Sequence, residues 1–116
     1  MNKKFKIFNI LDIPFEEIHN TPGSRQTLAT KDDLVTDNID ALTKGTLKSG
    51  DKWDWHKHEF YDEMGIVLKG TGLFYWNDEI VKYKPEDIII IPANSIHKFE
   101  AEGDVASEFY FVRIKT

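Results

Sequence analysis

Short stretches of alternating apolar and polar residues dominate the chain from residue 39 onward. Residues 52–58 alternate, while 64–68 and 88–91 are mostly apolar runs of the kind that form buried strands. Residues 77–79 separate two such stretches and are typical of a hairpin turn. No stretch has the length and periodicity of a long helix. The pattern predicts an all-β protein of seven or eight short strands, folded as a sandwich or a barrel.

The first 38 residues have a weaker pattern. Apolar positions between residues 5 and 18 predict a strand that passes into an irregular arm. Pro22 and Gly23 predict a turn, and the residues that follow are mostly polar. We therefore expect an N-terminal arm over residues 1–38, packed on the barrel or on a dimer partner, and a barrel over residues 39–116.

The amino-acid composition argues against several classes of function. A chain of 116 residues is one domain, and three Trp, four Tyr and eight Phe residues suit a barrel core. The net charge of −5 argues against a nucleic-acid surface, and the absence of cysteine excludes disulfides and thiolate metal sites. The apolar runs are too short to cross a membrane, and Pro14 interrupts the stretch that a signal peptide would need. We expect a cytoplasmic protein with no nucleic-acid or membrane partner.

Three of the four histidines fall in two linked segments. His56 and His58 are two residues apart, so a strand would direct both imidazoles toward one ion. Glu63 begins the next predicted strand, and His97 comes from a later one. Three neutral imidazoles and one carboxylate suit a divalent first-row metal. Around an octahedral metal these four ligands would leave two coordination positions open, whereas around tetrahedral zinc they would fill every position.

These residues resemble the two sequence motifs of the cupin superfamily. The first motif contains two glycines, a His-x-His pair and a glutamate, which correspond here to Gly50, His56, His58, Glu63 and Gly70. In the second motif Pro92 and His97 match, whereas Glu86, Asn94 and Ala101 stand at the positions of two glycines and an asparagine. The change at Asn94 is mild, because asparagine tolerates the left-handed conformation of a tight turn.

The resemblance implies a small single-domain cupin, which is a double-stranded β-helix (jelly-roll) barrel with an N-terminal arm. It implies one divalent metal, Fe, Mn, Ni or Zn, bound by His56, His58, Glu63 and His97. Small cupins similar to this chain also form homodimers in which N-terminal strands cross to the partner.

Two functions stay open at this point. The first is a metal-dependent enzyme that acts on a small polar organic molecule by dioxygenase-like, isomerase or lyase chemistry. The second is a non-catalytic protein that binds a sugar or an organic acid, with a structural or vestigial metal. Both imply a small-molecule ligand or substrate as the partner.

Strand alternation identifies candidates around the metal. Phe99 shares the predicted face of His97, and Gly65 follows Glu63 inward, where it would leave open space. Cupin-like architecture favours an inward face of the last strand that contains Phe109, Phe111 and Arg113. An arginine there can bind a carboxylate or a phosphate, and the alternative is a surface arginine near the end of the chain. The candidate pocket residues are thus Phe99, Phe109, Phe111 and Arg113.

Alternation in residues 52–58 places Trp53 and Trp55 on one face and Asp54 with the histidines on the other. Asp54 is therefore either a candidate hydrogen-bond acceptor for an imidazole N–H or a solvent-exposed acid in a turn. His19 lies outside both motifs, and we interpret it as a surface residue.

Overall fold

The computed structural model describes residues 3–116, which form ten β-strands and two short 3-10 helices at Ile10–Asp12 and Lys31–Asp33. The strands are β1 (Glu16–Ile18), β2 (Thr21–Thr30), β3 (Ile39–Leu47), β4 (Lys52–His56), β5 (Tyr61–Lys69), β6 (Thr71–Trp76), β7 (Glu79–Tyr83), β8 (Ile88–Ile91), β9 (His97–Glu102) and β10 (Ser107–Lys115). Within residues 3–116, neither helix is long and apolar enough to cross a membrane.

The strands form two antiparallel sheets. One has the order β1-β2-β3-β10-β5-β8, and the other has the order β4-β9-β6-β7. Several neighbouring strands, such as β3 with β10 and β4 with β9, come from distant parts of the chain, as the jelly-roll topology requires. The all-β fold predicted from the sequence is confirmed. The structure has ten strands where seven or eight were expected, partly because residues 16–30 contribute two strands to the larger sheet. The boundary proposed at residue 38 stays a prediction.

Aromatic rings from both sheets form the core. Phe99 of β9 and Phe109 of β10 are 2% and 0% exposed, and their ring centroids lie 5.4 Å apart. Trp53 of β4 contacts both rings, edge-on against Phe99 and tilted against Phe109. Phe109 and Phe111 are both buried, so the last strand turns the expected face inward.

The turn predicted at Pro22 and Gly23 is wrong, because both residues lie inside β2. The chain reverses instead at His19 and Asn20, which have φ angles of 51° and 65° and lie between the paired residues Ile18 and Thr21. A two-residue turn with both residues at positive φ has the type I′ geometry favoured in hairpins. A proline near the start of a strand is tolerated there, which is why Pro22 did not mark the reversal.

Strand β4 contains an irregularity that changes which side chains point inward. Trp53 pairs with Phe99 and His56 pairs with His97, so three steps along β4 match two steps along β9. Such a bulge adds one residue and shifts the alternation of the following side chains. Trp53 is consequently buried and Trp55 is 45% exposed, and the expectation that they share a face is wrong.

Two of the motif positions that differ from the family pattern adopt left-handed backbone conformations. Asn94 has a φ of 65° and Glu86 has a φ of 74°. Asparagine tolerates this region well, which agrees with the mild effect expected at position 94, whereas glutamate is disfavoured there.

Replacing Glu86 by glycine should raise the free energy of unfolding by up to about 1 kcal/mol. The left-handed conformation costs an L-residue roughly 1–2 kcal/mol, and the greater flexibility of unfolded glycine offsets part of that gain. Urea unfolding checks the result, with Glu79→Gly in β7 as a control that should lower stability. A lower urea midpoint for Glu86→Gly would contradict this reading of the turn.

Candidate metal centre

The four residues proposed from the sequence lie together. The ring centroids of His56 and His97 are 4.2 Å apart, and those of His58 and His97 are 5.5 Å apart. His58 Nε2 lies 3.6 Å from Glu63 Oε1. Glu63 and His97 are buried, while His56 and His58 are partly buried. The side chains are therefore close enough to share one small ligand.

Each of these side chains is positioned by a different part of the fold. The pairing of β4 with β9 places His56 opposite His97, and Glu63 lies within β5. His58 follows the end of β4, so strand alternation alone does not explain its convergence with His56. The backbone N–H of Asn94 donates to the His58 carbonyl at 2.9 Å and fixes this loop.

Backbone carbonyls orient two of the imidazoles. His56 Nδ1 lies 2.6 Å from the Asp54 carbonyl oxygen, and His97 Nδ1 lies 2.8 Å from the Ser95 carbonyl oxygen. Each Nδ1–H can donate there, which leaves the Nε2 lone pair free to bind a metal. The Asp54 carboxylate does not fill the role expected of it, because it accepts from the backbone N–H of Trp55 instead.

One buried nitrogen tests whether the residues fit a metal. Among the described residues, His97 Nε2 is buried and has no hydrogen-bond partner. An unpaired buried polar atom costs about 1–3 kcal/mol and calls for an explanation. Ligand atoms of His58, Glu63 and His97 all lie within 4.8 Å of one another. A metal bound by these three residues would give His97 Nε2 the partner that it lacks. The donor set fits a divalent transition metal.

Burial also keeps the imidazoles in the form that binds metals. Desolvation lowers the pKa of His97 to about 4, and the nearby His56 adds to the effect. Desolvation likewise lowers the pKa of His56, against the raising effect of its hydrogen bond to the Asp54 carbonyl. Neutral imidazole is the ligand form, so these histidines need not lose a proton to bind a metal at neutral pH.

The same shifts predict that metal-free protein loses stability as the pH falls. Below pH 6.5 the unfolded chain takes up protons that buried His97 does not, so the free energy of unfolding decreases down to about pH 4. His97 alone should account for about 2 kcal/mol between roughly pH 6.5 and 5. Urea unfolding at several pH values measures this, and His97→Gln should flatten the slope. A wild-type stability that is constant over this range would contradict it.

A fourth histidine, His19, also lies at the site. Its ring stacks on that of His56 with centroids 3.6 Å apart and an interplanar angle of 22°. Ligand nitrogens of His19, His56 and His58 all lie within 4.8 Å of one another. Desolvation, with the nearby histidines, lowers the pKa of His19 to about 3. The interpretation of His19 as a surface residue is wrong.

The sequence contained one signal that could have located His19. The pair His19-Asn20 stands between Ile18 and Thr21, and asparagine in a two-residue loop is a hairpin signal. The proline–glycine pair three residues later gave a stronger but misleading turn signal.

His19, His56, His58 and Glu63 line a cavity with three of the four predicted pocket residues, Phe99, Phe111 and Arg113, whereas His97 is fully buried and is not among the lining residues. Phe109 is not among the lining residues and lies in the core, fully buried. Gly65 does not leave open space, because a Cβ atom there would lie 2.4 Å from Phe111 Cδ1. The free volume is about 30 Å³, enough for about one or two water molecules.

Arg113 provides positive charge beside the metal-binding residues. It lies opposite Glu63 in the pairing of β5 with β10, and its Nη2 lies 3.1 Å from Asp40 Oδ2. Within the part of the chain that the structure describes, Arg113 Nε is buried and has no hydrogen-bond partner. Arg113 also lines the cavity, and its guanidinium retains one unused donor.

The fold and the cavity define a small jelly-roll protein with a histidine-rich pocket between its sheets. The chain belongs to the cupin family, since the family model described as Cupin domain matches residues 43–113. The matched segment is one small cupin domain, as the resemblance implied.

Related proteins agree with this assignment. A Thermotoga maritima protein described as a predicted oxalate decarboxylase has 25% identity and a TM-score of 0.84, and the alignment covers 96% of this chain and 100% of that one. The polyketide cyclase RemF of Streptomyces resistomycificus has 21% identity and a TM-score of 0.79, with 96% and 80% coverage, which shows the fold alone. An uncharacterized protein of Methanocaldococcus jannaschii is 34% identical over 65 residues, 56% of this chain and 52% of that protein. The chain spans about half the length, or less, of the curated relatives it matches.

Proposed function

We propose that this protein is a metal-dependent cupin enzyme that acts on a small organic acid. The observation that carries the proposal is the unpaired, buried Nε2 of His97 beside His58 and Glu63. We propose that His56, His58, Glu63 and His97 hold one divalent ion, which is Fe, Mn, Ni or Zn. Cupins commonly bind a metal, and this donor set suits that group of ions.

The chain's own residues have distinct roles in this proposal. A bound divalent metal would supply Lewis-acid polarisation of a substrate oxygen, or access to redox chemistry if it were iron or manganese. Arg113 would bind a substrate carboxylate through its free Nε donor. Phe99 and Phe111 form an apolar wall of the cavity, which would strengthen electrostatic contacts beside it. The acid substrate follows from the position of Arg113 beside the carboxylate and imidazole ligands.

The Thermotoga protein supports an enzyme without identifying the reaction, whereas the Streptomyces protein shares the fold alone. The Thermotoga protein is described as a predicted oxalate decarboxylase, and the Streptomyces protein is a polyketide cyclase. Dioxygenase-like, isomerase and lyase reactions all stay within the proposal. The acid substrate is the part that the cavity itself favours.

Turnover assays test the proposal. Protein loaded separately with Fe(II), Mn(II), Ni(II) or Zn(II) is incubated with a panel of small mono- and dicarboxylic acids, with and without oxygen. Turnover of at least one acid is expected, and Arg113→Lys should raise its KM more than it lowers kcat. Lys82→Ala, on exposed β7, should leave both constants unchanged. Turnover restricted to uncharged compounds would contradict the proposed substrate class.

A second function is favoured by the small free volume of about 30 Å³. With so little room, the metal could be structural and the protein could bind a small ligand without converting it. Thermal stabilisation by an acid without turnover in any metal form would support this alternative. Turnover would exclude it.

We also propose that the protein is a homodimer. The outer side of the larger sheet carries apolar side chains from two cross-strand pairs of β5 and β8, Met64 with Ile90 and Ile66 with Ile88. All four are exposed, and Ile88 and Ile90 are exposed by 68% and 62%. Large exposed apolar patches mark interaction sites, and β8 also presents an unpaired strand edge.

The proposed occupant of this face is the N-terminal arm of a second copy. The arm carries exposed apolar side chains that its own chain does not bury, namely Phe5, Ile7, Phe8, Leu11 and Phe15. Sedimentation at micromolar concentration should give a dimer, and the double variant Ile88→Lys/Ile90→Lys should be monomeric. Ile80→Lys, which is equally exposed on the other sheet, should stay dimeric. A monomeric wild-type protein would contradict the proposal.

A further inference from the structure

The turn between β1 and β2 brings a side chain to the metal centre from outside the segment that matches the family model. That match covers residues 43–113, whereas His19 lies in the N-terminal hairpin. A nitrogen of His19 lies within 4.8 Å of ligand nitrogens of both His56 and His58. The ring centroid of His19 is 6.0 Å from that of His58. These distances are comparable to those within the group His58, Glu63 and His97.

The hairpin is fastened to the barrel on both sides of the turn. Thr21 Oγ1 donates to the Lys52 carbonyl of β4 at 2.6 Å, which joins the larger sheet to the smaller one. Trp53 Nε1 donates to Ser24 Oγ at 3.0 Å, and this contact is buried. Ile18 packs against the aromatic core. The imidazole of His19 is thus held beside β4 by contacts that do not involve its own ring.

The identity of the turn residue adds to this argument. Type I′ turns favour asparagine and glycine, because both central residues have positive φ. Histidine has a φ of 51° in this turn, whereas type I′ turns are formed most often by asparagine, aspartate and glycine. The turn therefore holds a less favourable residue at the one position that faces the metal-binding histidines.

We propose that His19 is an additional imidazole ligand of the metal, supplied by the β1–β2 turn. This inference rests on the metal site proposed above. It makes the N-terminal hairpin part of the metal centre, and it leaves fewer coordination positions for substrate than the four residues of the family motifs would. Because His19 lines the same cavity, a substrate that enters it would lie beside this imidazole.

Metal binding by variants tests the inference. Metal-free protein is titrated with Co(II), and X-ray absorption of the complex counts imidazole ligands. His19→Asn removes the imidazole but keeps a residue suited to the turn, and it should weaken Co(II) binding by at least about tenfold. The count should fall from four imidazoles to three. Asn20→Gly, in the same turn, should leave both values unchanged.

Two further measurements show whether a negative result concerns the metal site as a whole or only the role of His19. Without metal, His19→Asn should unfold at the wild-type temperature or above it, whereas with Co(II) it should be stabilised less than the wild type. His97→Ala should abolish binding, so unchanged Co(II) affinity in that variant would overturn the proposed site itself. The role of His19 alone would be overturned if His97→Ala weakened Co(II) binding while His19→Asn kept the wild-type affinity and imidazole count.

Discussion

Replacing His58 by alanine is expected to remove most of the metal from protein purified without chelator. His58 belongs to both groups of convergent ligand atoms, one with His19 and His56 and the other with Glu63 and His97. Its loss therefore weakens every set of three ligands at the site. We expect metal content, measured by elemental analysis, to fall by at least about tenfold, since even indirect disturbance of a ligand costs about 10–100-fold in affinity.

Lys57→Ala is the matched control for this experiment. Lys57 lies between the two motif histidines, but its side chain is 46% exposed and pairs with Glu59 at 3.8 Å. The control should keep the wild-type metal content. If His58→Ala also kept it, the assignment of His58 as a ligand would be wrong.

Replacing Phe99 by alanine is expected to destabilise the protein by about 3–5 kcal/mol, which is a large part of the stability of a small domain. Phe99 is 2% exposed, and its ring contacts Trp53 of β4, Phe109 of β10 and His97 beside it on β9. The cavity left by the ring would open below the metal-binding residues. Urea unfolding of metal-free protein measures the loss.

Two further variants keep the Phe99 prediction testable if Phe99→Ala does not fold. Phe99→Leu should lose less stability, because leucine fills part of the space. Phe15→Ala removes the same ring from a position that is 57% exposed and should change stability little in monomeric protein at low concentration. Equal losses for Phe99→Leu and Phe15→Ala would contradict the proposed location of the core.

The convergence of the candidate metal ligands could be predicted from the sequence because their spacing depends on the fold more than on local detail. His56, His58, Glu63 and His97 lie together as expected, although His58 lies in a loop rather than on β4. The fold class was predictable for a similar reason, since short alternating stretches and turn residues recur along the chain.

Strand alternation failed where a single residue changed the register. Because of the bulge between Trp53 and His56, Trp55 points to the opposite face of β4 from the one expected. Asp54 contacts His56 through its backbone carbonyl and not through its carboxylate. A bulge depends on pairing with β9, which is distant in sequence. Local alternation therefore could not reveal it.

Long-range packing also decided the details of the pocket. Gly65 appears in the sequence as an empty position, but the ring of Phe111 occupies the space beside it. His19 approaches the site only because its hairpin pairs with β3 through β2 and is hydrogen-bonded to β4. Neither contact leaves a pattern in the sequence near the metal-binding motifs.

The most direct test of the account is the amount of metal that the metal-free protein binds. The protein is dialysed separately against Mn(II), Fe(II), Ni(II) and Zn(II) at micromolar concentration, and bound metal is measured by elemental analysis. We expect one equivalent per chain for at least one of these ions, and none of that binding in His97→Ala. No bound metal with any of the four ions, or equal binding in the wild type and His97→Ala, would contradict it.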